Sequence, residues 1–552
     1  MGEVQFTLVE VFDTVAAVHP DRPALVWGDV RLTFTDLADR SRRLAAHLRS
    51  RGLGAHTERD GLAGHESGQD HLGIYLYNGN EYLEAMLGAF RARVAPFNVN
   101  YRYVEDELLY LLDNAGCRAL VYHDTFAPTL AAILDRLPAL EVLIQVADNS
   151  GHDLLPGAVE YEAALASVDP ATGPATPAPS PDDLYVLYTG GTTGMPKGVL
   201  WRQHDIYMSA MGGRNILTRE AVTSYDDVAA AAAAFAEPMR FLVLPPLMHG
   251  AAQWASFIGL NNGHTLVLPP NTRRLDPAET WETVERERCS TLTVVGDAIA
   301  RPLVEELEGG SYDTSSLLSV GNGGAPLTPT IKERLLAQLP NIVLSDSVGS
   351  SETGAQMSHV SVASGEVSTG RFTPLPGTVV VSEELDKVLA PGHDGIGWLA
   401  QEGWVPLGYL GDAPKTARTF PVIDGTRYSV PGDRARHQES GDIELLGRDS
   451  VTINSGGEKI FAEEVERAIA GHPAVRDVVV VGRPSERWGQ EVVALVELSP
   501  GAAATADDIA AHAGGHIARY KLPKDVLFLP AIQRSPAGKA DYRWAKAQVT
   551  PG

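Results

Sequence analysis

Cysteine is almost missing from this chain: Cys117 and Cys289 are the only two in 552 residues. Two thiols cannot staple a chain of this length, and neither stands in a metal-ligand spacing. A disulfide framework and a cysteine-built zinc site are therefore excluded. A reducing compartment, the cytoplasm, is the expectation. Long apolar runs are missing too. No stretch approaches the roughly eighteen uninterrupted apolar residues of a membrane span. The N-terminus, "MGEVQFTLVEVFDTVAAVHPDRPALVW", has no basic segment followed by an apolar core, so no signal peptide is expected. Positive charge is in deficit: 45 Lys and Arg stand against 70 Asp and Glu, for a net charge of −25. That balance excludes non-specific nucleic-acid binding, which needs a basic surface. It leaves room for an anionic small ligand held in a local basic pocket. No repeat of solenoid period is present.

What is there is ordinary for a globular enzyme: 44% hydrophobic and 21% charged residues. The length calls for more than one domain. Strand-length apolar runs alternate with helical patterns. "HLGIYLYN" is followed by "EYLEAMLGAFRAR", and "RALVYHD" by "APTLAAILDRL". "RFLVLPPL", "HTLVLPP" and "CSTLTVVG" repeat the strand signal. This alternation predicts an α/β fold with largely parallel sheets. The polar stretch 56–70 and the Pro-rich stretch 170–183 read as surface loops, and Ala229–Ala234 as helix or loop. Residues 428–451 predict a strand, a loop, a second strand and a turn. After them "EKIFAEEVERAIAGH" predicts an amphipathic helix, and two further strands follow. The boundary falls near Gly447–Ser450, giving a large domain over 1–447 and a small α+β domain over 448–552.

One stretch points to phosphate. In "DLYVLYTGGTTGMPKGVLWRQ" a buried strand "LYVLYT" leads into a segment of glycines with one proline, and "VLWRQ" resumes extended structure. Glycines let backbone N–H groups close on an anion. The hydroxyls of Thr189, Thr192 and Thr193 add donors, and Lys197 adds a point charge. The pattern is not the usual G-x-x-x-x-G-K-[ST] loop: Pro196 precedes the lysine, and Gly198 stands where a magnesium-holding hydroxyl belongs.

The stretch resembles the signature of the adenylate-forming superfamily, which includes acyl- and aryl-CoA synthetases, peptide-synthetase adenylation domains and luciferases. Other family elements follow in order. "GNGGAPL" (321–327) is similar to the adenine-side loop, and "DSVGSSETG" (346–354) to the aromatic-Gly-x-Thr-Glu element. "YSVPGDRARH" (428–437) resembles the ribose element, "GRDSVTINSGGEKIFAEEVE" (447–466) the hinge and start of the small domain, and "RSPAGKADYR" (534–543) the terminal lysine element. The resemblance implies a large adenylate-forming domain and a small C-terminal domain that rotates between two half-reactions. A carboxylate attacks the α-phosphate of ATP and releases pyrophosphate; a thiol then attacks the acyl-adenylate and releases AMP.

Residue by residue, the resemblance implies a pyrophosphate clamp at Thr189, Gly190, Gly191, Thr192, Thr193, Gly194 and Lys197. Nucleotide contacts are implied at Gly323, Gly324, Ala325, Asp346 and Ser351. Glu352 is the implied Mg2+ ligand, since a hard cation takes carboxylate oxygen plus substrate phosphates. Asp433 and Arg448 are implied on the ribose, and Lys539 at the α-phosphate, where charge builds in the transition state. His249 either gates the acyl pocket or packs in the core, and Gln253 falls in the same segment. "GAAQWASFIGL" (250–260) reads equally as an apolar acid pocket or a core helix. Ser455, Gly456, Gly457 and Lys459 are implied along the thiol tunnel. Three positions depart from the family pattern. Ser450 replaces the usual Asp or Lys at the hinge, Val348 the aromatic that stacks on adenine, and Ser351 the usual Thr. With no carrier domain after Lys539, coenzyme A is the expected acceptor of an acyl group from a fatty or other apolar acid. The stretch "NVNYRYVEDELLYLL" and its neighbours most resemble fatty-acid and steroid side-chain ligases. The alternatives are an enzyme that loads a carrier protein in trans, a non-catalytic nucleotide-binding relative and, more remotely, a luciferase-type oxygenase.

Overall fold

The computed structural model describes residues 4–171, 178–189, 195–365, 367, 370–455, 458–485, 487–534 and 538–549. Among them lie three sheets. The largest has sixteen strands. Its first part is parallel, through Pro23–Trp27, Thr265–Leu268, Arg240–Val243, Thr291–Val294, Ser319–Gly323 and Val343–Ser350. Thr265–Leu268, Arg240–Val243 and Thr291–Val294 are short β-branched or leucine-rich runs that are largely buried. Ser319–Gly323 and Val343–Ser350 are instead rich in Gly and Ser and alternate buried with more open positions. Helices Pro277–Glu287, Gly296–Gly309 and Pro329–Gln338 return between them. They bury Trp281, Val284, Leu303 and Leu335 against Leu292, Val320 and Leu344 on one face of the sheet. From Gly354–Ser361 onward the sheet turns antiparallel.

The second sheet has eight strands around His71–Tyr75, Ala95–Asn98, Cys117–His123 and Leu184–Thr189. Its far edge is a hairpin of Leu184–Thr189 with Lys197–Arg202, extended by the short strand Gly408–Tyr409. The third sheet, of five strands, is built from Thr452–Ser455, Glu458–Phe461, Val475–Ser485, Gly489–Leu498 and Asp525–Phe528.

Three local expectations change. Residues 428–451 carry strand material at Thr426–Ser429, Asp433–His437 and Ile443–Arg448, three strands in place of two. Pro431 cannot donate to a ladder, and Gly432 takes φ 111°, so the chain breaks there and restarts. "EKIFAEEVERAIAGH" begins as a strand, Glu458–Phe461, because it closes a hairpin on Thr452–Ser455; the helix starts at Ala462. "APTLAAILDRL" yields only Ala127–Ala131 as α-helix, followed by a separate turn at Leu134–Arg136.

The first and third sheets meet at Gly447. Its φ is 136°, and a Cβ there would lie 2.6 Å from the Glu463 carboxylate. Burial pushes the Glu463 carboxyl up to about 7, and the nearby Asp433 charge adds to the shift. A carboxyl whose folded pKa is raised favours its protonated form. Stability is therefore lost as pH rises from about 4.5 toward about 7. Glu463→Gln removes that penalty. The variant is expected to be more stable than the parent at pH 8 by about 1–3 kcal/mol, and equal to it near pH 4.5. Thermal midpoints at the two pH values check this; one constant difference at both would contradict it.

Candidate active site

Asp433 opens the strand Asp433–His437 and stands in register with Arg448, the last residue of Ile443–Arg448. Paired residues of adjacent strands share a face, and Arg448 Nε donates to Asp433 Oδ1 at 3.2 Å. The Asp433 charge is the main reason that the Arg448 pKa rises, and Glu352 contributes.

Glu352 sits at the tip of the hairpin between Val343–Ser350 and Gly354–Ser361. Gly354 makes that tip possible. Its φ is 69°, and a Cβ would fall 1.9 Å from Ser209 Oγ. The turn is tied down further: Trp201 Nε1 donates to Ser351 O at 2.8 Å, and Ser429 Oγ to Glu352 O at 2.6 Å. Tyr409 OH donates to Glu352 Oε1 at 2.8 Å. Burial, then the Glu352 charge, raises the Tyr409 pKa, so the phenol stays a donor.

Lys539 reaches this group from beyond the third sheet. Burial lowers its pKa and so does Arg448, while Glu352 and Asp433 act in the opposite sense. The adjoining Gly538 lies close to the start of helix Gly296–Gly309: a Cβ on it would stand 3.3 Å from Ala298 Cβ and 3.4 Å from Val295 O. Glu352, Asp433, Arg448 and Lys539, from distant stretches, thus lie within electrostatic range of one another. Glu352 follows the carboxyl end of the parallel strand Val343–Ser350, the usual side for a ligand in an open α/β sheet.

Lys197 stands in register with Thr189, so the glycine-rich stretch is the connection of a hairpin. Gly190, Gly191, Thr192, Thr193 and Gly194 lie outside the described residues. Lys197 Nζ donates to Asp412 Oδ2 at 2.7 Å and stands 5.7 Å from the centre of the Tyr409 ring. The other oxygen of Asp412 caps helix Ala413–Thr419 by accepting from Lys415 N at 3.0 Å.

On the adenine side, Asn322 organises the loop Gly323, Gly324, Ala325. Its Oδ1 accepts from Gly296 N at 2.7 Å, and its Nδ2 donates to Ala325 O at 3.1 Å and to Asp346 Oδ1 at 2.9 Å. The Asp346 carboxylate also pairs with the buried Lys332 ammonium. The sequence expectation puts Asp346 on the nucleotide; its carboxylate is instead spent beneath the loop, where it braces Asn322. Ser351 is partly buried in the Glu352 turn. Val348 packs against the cluster containing Met357 and Phe372.

His249 precedes helix Gly250–Asn261, and its buried Nε2 has no partner among the described residues. Burial, with Lys539 and Arg102 nearby, lowers its pKa to about 4, so the ring is neutral at pH 7. Gln253 differs from its expected place on the acyl pocket. Its Oε1 accepts from Tyr185 OH at 2.7 Å and its Nε2 donates to Leu247 O at 2.7 Å, inside the core. Ser455 is buried at the end of Thr452–Ser455, and Lys459 Nζ pairs with Glu383 at 2.7 Å. Gly456 and Gly457 are outside the described residues. Ser450 is exposed within the turn Asp449–Val451.

Sequence reasoning missed Tyr409, Asp412, Asn322 and Lys332. "GYLGDAPK" does carry a readable helix start, an Asp before Ala-Pro. Its second role depends on the strand Gly408–Tyr409 pairing beside Lys197–Arg202, which no local pattern announces.

The comparisons agree with this geometry. Residues 12–410 match the model of the AMP-binding enzyme family, and residues 464–539 that of the AMP-binding enzyme C-terminal domain. The chain belongs to the AMP-binding enzyme family. It is 61% identical over 547 residues, covering 99% of each chain, to the medium-chain acyl-CoA ligase Mig of Mycobacterium avium. It is 43% identical over 550 residues to a Mycobacterium tuberculosis protein named medium/long-chain-fatty-acid–CoA/3-oxocholest-4-en-26-oate–CoA ligase. That match covers 99% of this chain and 96% of the relative. The fold is that of the anthranilate CoA ligase AuaEII in complex with anthranoyl-AMP, at TM-score 0.81 and 19% identity over 99% of this chain and 98% of the other.

Tyr409→Phe is expected to lower kcat/KM for ATP by about tenfold or more, the scale of one hydrogen bond to a charged group. The Mg2+ concentration needed for half-maximal rate should rise with it. An unchanged Mg2+ requirement would separate Tyr409 from the role of Glu352.

Proposed function

We propose that the chain is an ATP-dependent carboxylic acid–CoA ligase that forms an acyl-adenylate with release of pyrophosphate, then acyl-CoA and AMP. The observation that carries this reading is that Lys539 lies within electrostatic range of Glu352, Asp433 and Arg448, in a family whose relatives above are named acyl-CoA ligases. Asp433 and Arg448 hold the ribose: a carboxylate can accept from two neighbouring hydroxyls, as acidic residues do in dinucleotide sites. Gly323, Gly324 and Ala325 form the adenine side. Thr189, Thr192, Thr193 and Lys197 hold the β- and γ-phosphates as a leaving group. Lys197 exchanges its Asp412 partner for phosphate when ATP enters. Lys539 donates to the α-phosphate and the attacking carboxylate together, placing charge where it develops.

Mg2+ fits the donors present. Among the described residues no cluster of three ligating side chains exists, so an ion here relies on Glu352 and the substrate phosphates, the usual habit of magnesium. When bound, it neutralises phosphate charge. The thiol of CoA is placed along Ser455–Lys459 after the unit 448–552 reorients about Ser450 against the unit 1–447. No helix among the described residues is long and apolar enough to cross a membrane, and the cytoplasm is the proposed compartment. The acid is apolar: the relatives' names point to medium- or long-chain fatty acids and a steroid acid.

The test is pyrophosphate release with ATP, Mg2+ and CoA across short, long, aromatic and steroid acids, with the thioester followed in parallel. Acid-dependent pyrophosphate and acyl-CoA in equal amounts are expected. Adenylate without thioester would move the acceptor from CoA to a carrier protein.

A further inference from the structure

The loop that carries Lys539 is held from two sides. Within the small unit, Arg534 ties its two ends together. Arg534 forms an antiparallel bridge with Ala540, and its Nη1 donates to Gly538 O at 3.3 Å. The rest of the guanidinium is forked onto Asp477: Nε donates to Oδ2 at 2.7 Å and Nη2 to Oδ1 at 2.5 Å. Two parallel bonds of this kind fix orientation as well as distance. The Lys539 loop is therefore anchored to whatever holds Asp477.

Asp477 stands beside an irregularity in its strand. Where Val475–Ser485 runs against Gly489–Leu498, Val475 pairs with Leu498 and Asp477 with Glu497. Arg476 is thus one residue too many, a β-bulge, and a bulged residue is left out of the ladder. Its carbonyl is taken up by the other unit: Arg301 Nη2 donates to Arg476 O at 2.8 Å. Arg301 lies in helix Gly296–Gly309, and the same nitrogen donates to Asp297 Oδ2 at 2.9 Å, one turn earlier. Asp297 in turn accepts from Thr328 N and from Thr328 Oγ1, both at 2.8 Å, at the end of the adenine-side loop. Asp297 also lies within electrostatic range of Asp477 and Arg534. Gly538 closes the circuit, since it packs against Ala298 and Val295 at the start of that helix. Contacts therefore run unbroken from the adenine-side loop through Asp297, Arg301 and the bulge to Asp477, Arg534 and the neighbour of Lys539.

We infer that Arg301, from the large unit, is a positioning residue for the first half-reaction: through the bulge at Arg476, and with Arg534 behind it, it sets where Lys539 stands against the α-phosphate. The bond from Arg301 to Arg476 crosses between the units. It belongs to the orientation that brings Lys539 toward Glu352 and Asp433, and it is released when the unit 448–552 reorients for thioester formation. The inference rests on the ligase reading above.

Arg301→Met tests it in the full-length enzyme, with acid-dependent exchange of pyrophosphate into ATP measured beside thioester formation from supplied acyl-adenylate and CoA. The exchange kcat is expected to fall by about tenfold or more, the scale of one hydrogen bond from a charged group. KM for ATP and the thioester rate should each stay within about twofold of the parent, since neither depends on the placement of Lys539. Arg301→Lys keeps a charged donor and should lose less. A double-mutant cycle separates positioning from a merely structural role, because a residue that acts through Lys539 has little left to lose once that lysine is gone. Arg301→Met and Arg534→Met, each added to Lys539→Ala, should lower exchange by less than about twofold further. Equal loss in both half-reactions, a raised KM for ATP with kcat spared, or an undiminished further loss on Lys539→Ala would overturn the inference. If the parent shows no acid-dependent exchange with any acid, the ligase reading fails first and this inference with it.

Discussion

The positive charge of Lys539 is disfavoured where it stands and calls for negative charge close by, and the structure around it supplies that charge. Desolvation works against its charged form and Arg448 adds like-charge repulsion; Glu352 and Asp433 act in the opposite sense, and the net pKa shift is downward. Such a charge keeps its place only when the groups around it keep theirs, because a displaced partner leaves it uncompensated. The surrounding fold meets that demand. The Glu352 turn is pinned by Trp201, Ser429 and Tyr409, and the Asp433–Arg448 pair is fixed by strand register.

The same economy appears one layer down. The segment Gly408–Asp412 serves two ligand groups at once: Tyr409 orients the Glu352 carboxylate, and Asp412 holds Lys197 while capping a helix. Asn322 does the equivalent on the adenine side, spending both ends of its amide on the backbone of two loops and on Asp346. Site geometry here is set by buried polar groups that are satisfied from inside, so that the groups facing the ligand have little freedom left to lose on binding.

Much of this was legible in the sequence. Alternating apolar runs predicted the α/β class and three strands of the parallel sheet, Arg240–Val243, Thr265–Leu268 and Thr291–Val294; Ser319–Gly323 and Val343–Ser350, rich in Gly and Ser, carry no such apolar signal. The ordered motifs named Glu352, Asp433, Arg448 and Lys539 as residues of one site, and these four lie within electrostatic range of one another. What stayed hidden depends on register between distant strands. Tyr409 and Asp412 matter because a two-residue strand pairs beside Lys197–Arg202. Asp346 and Gln253 look like ligand residues in their motifs, yet their polar atoms are committed to Asn322 and Lys332 in one case and to Tyr185 and Leu247 in the other.

The claim that Lys539 serves the first half-reaction, from the small unit and not from the large one that carries Glu352 and Asp433, is tested most directly by Lys539→Ala assayed in both directions of use. Acid-dependent exchange of pyrophosphate into ATP is expected to fall by about 10²–10³, the scale of losing one preorganised donor. Thioester formation from supplied acyl-adenylate and CoA should fall far less. Equal loss in the two assays would contradict this placement of the lysine.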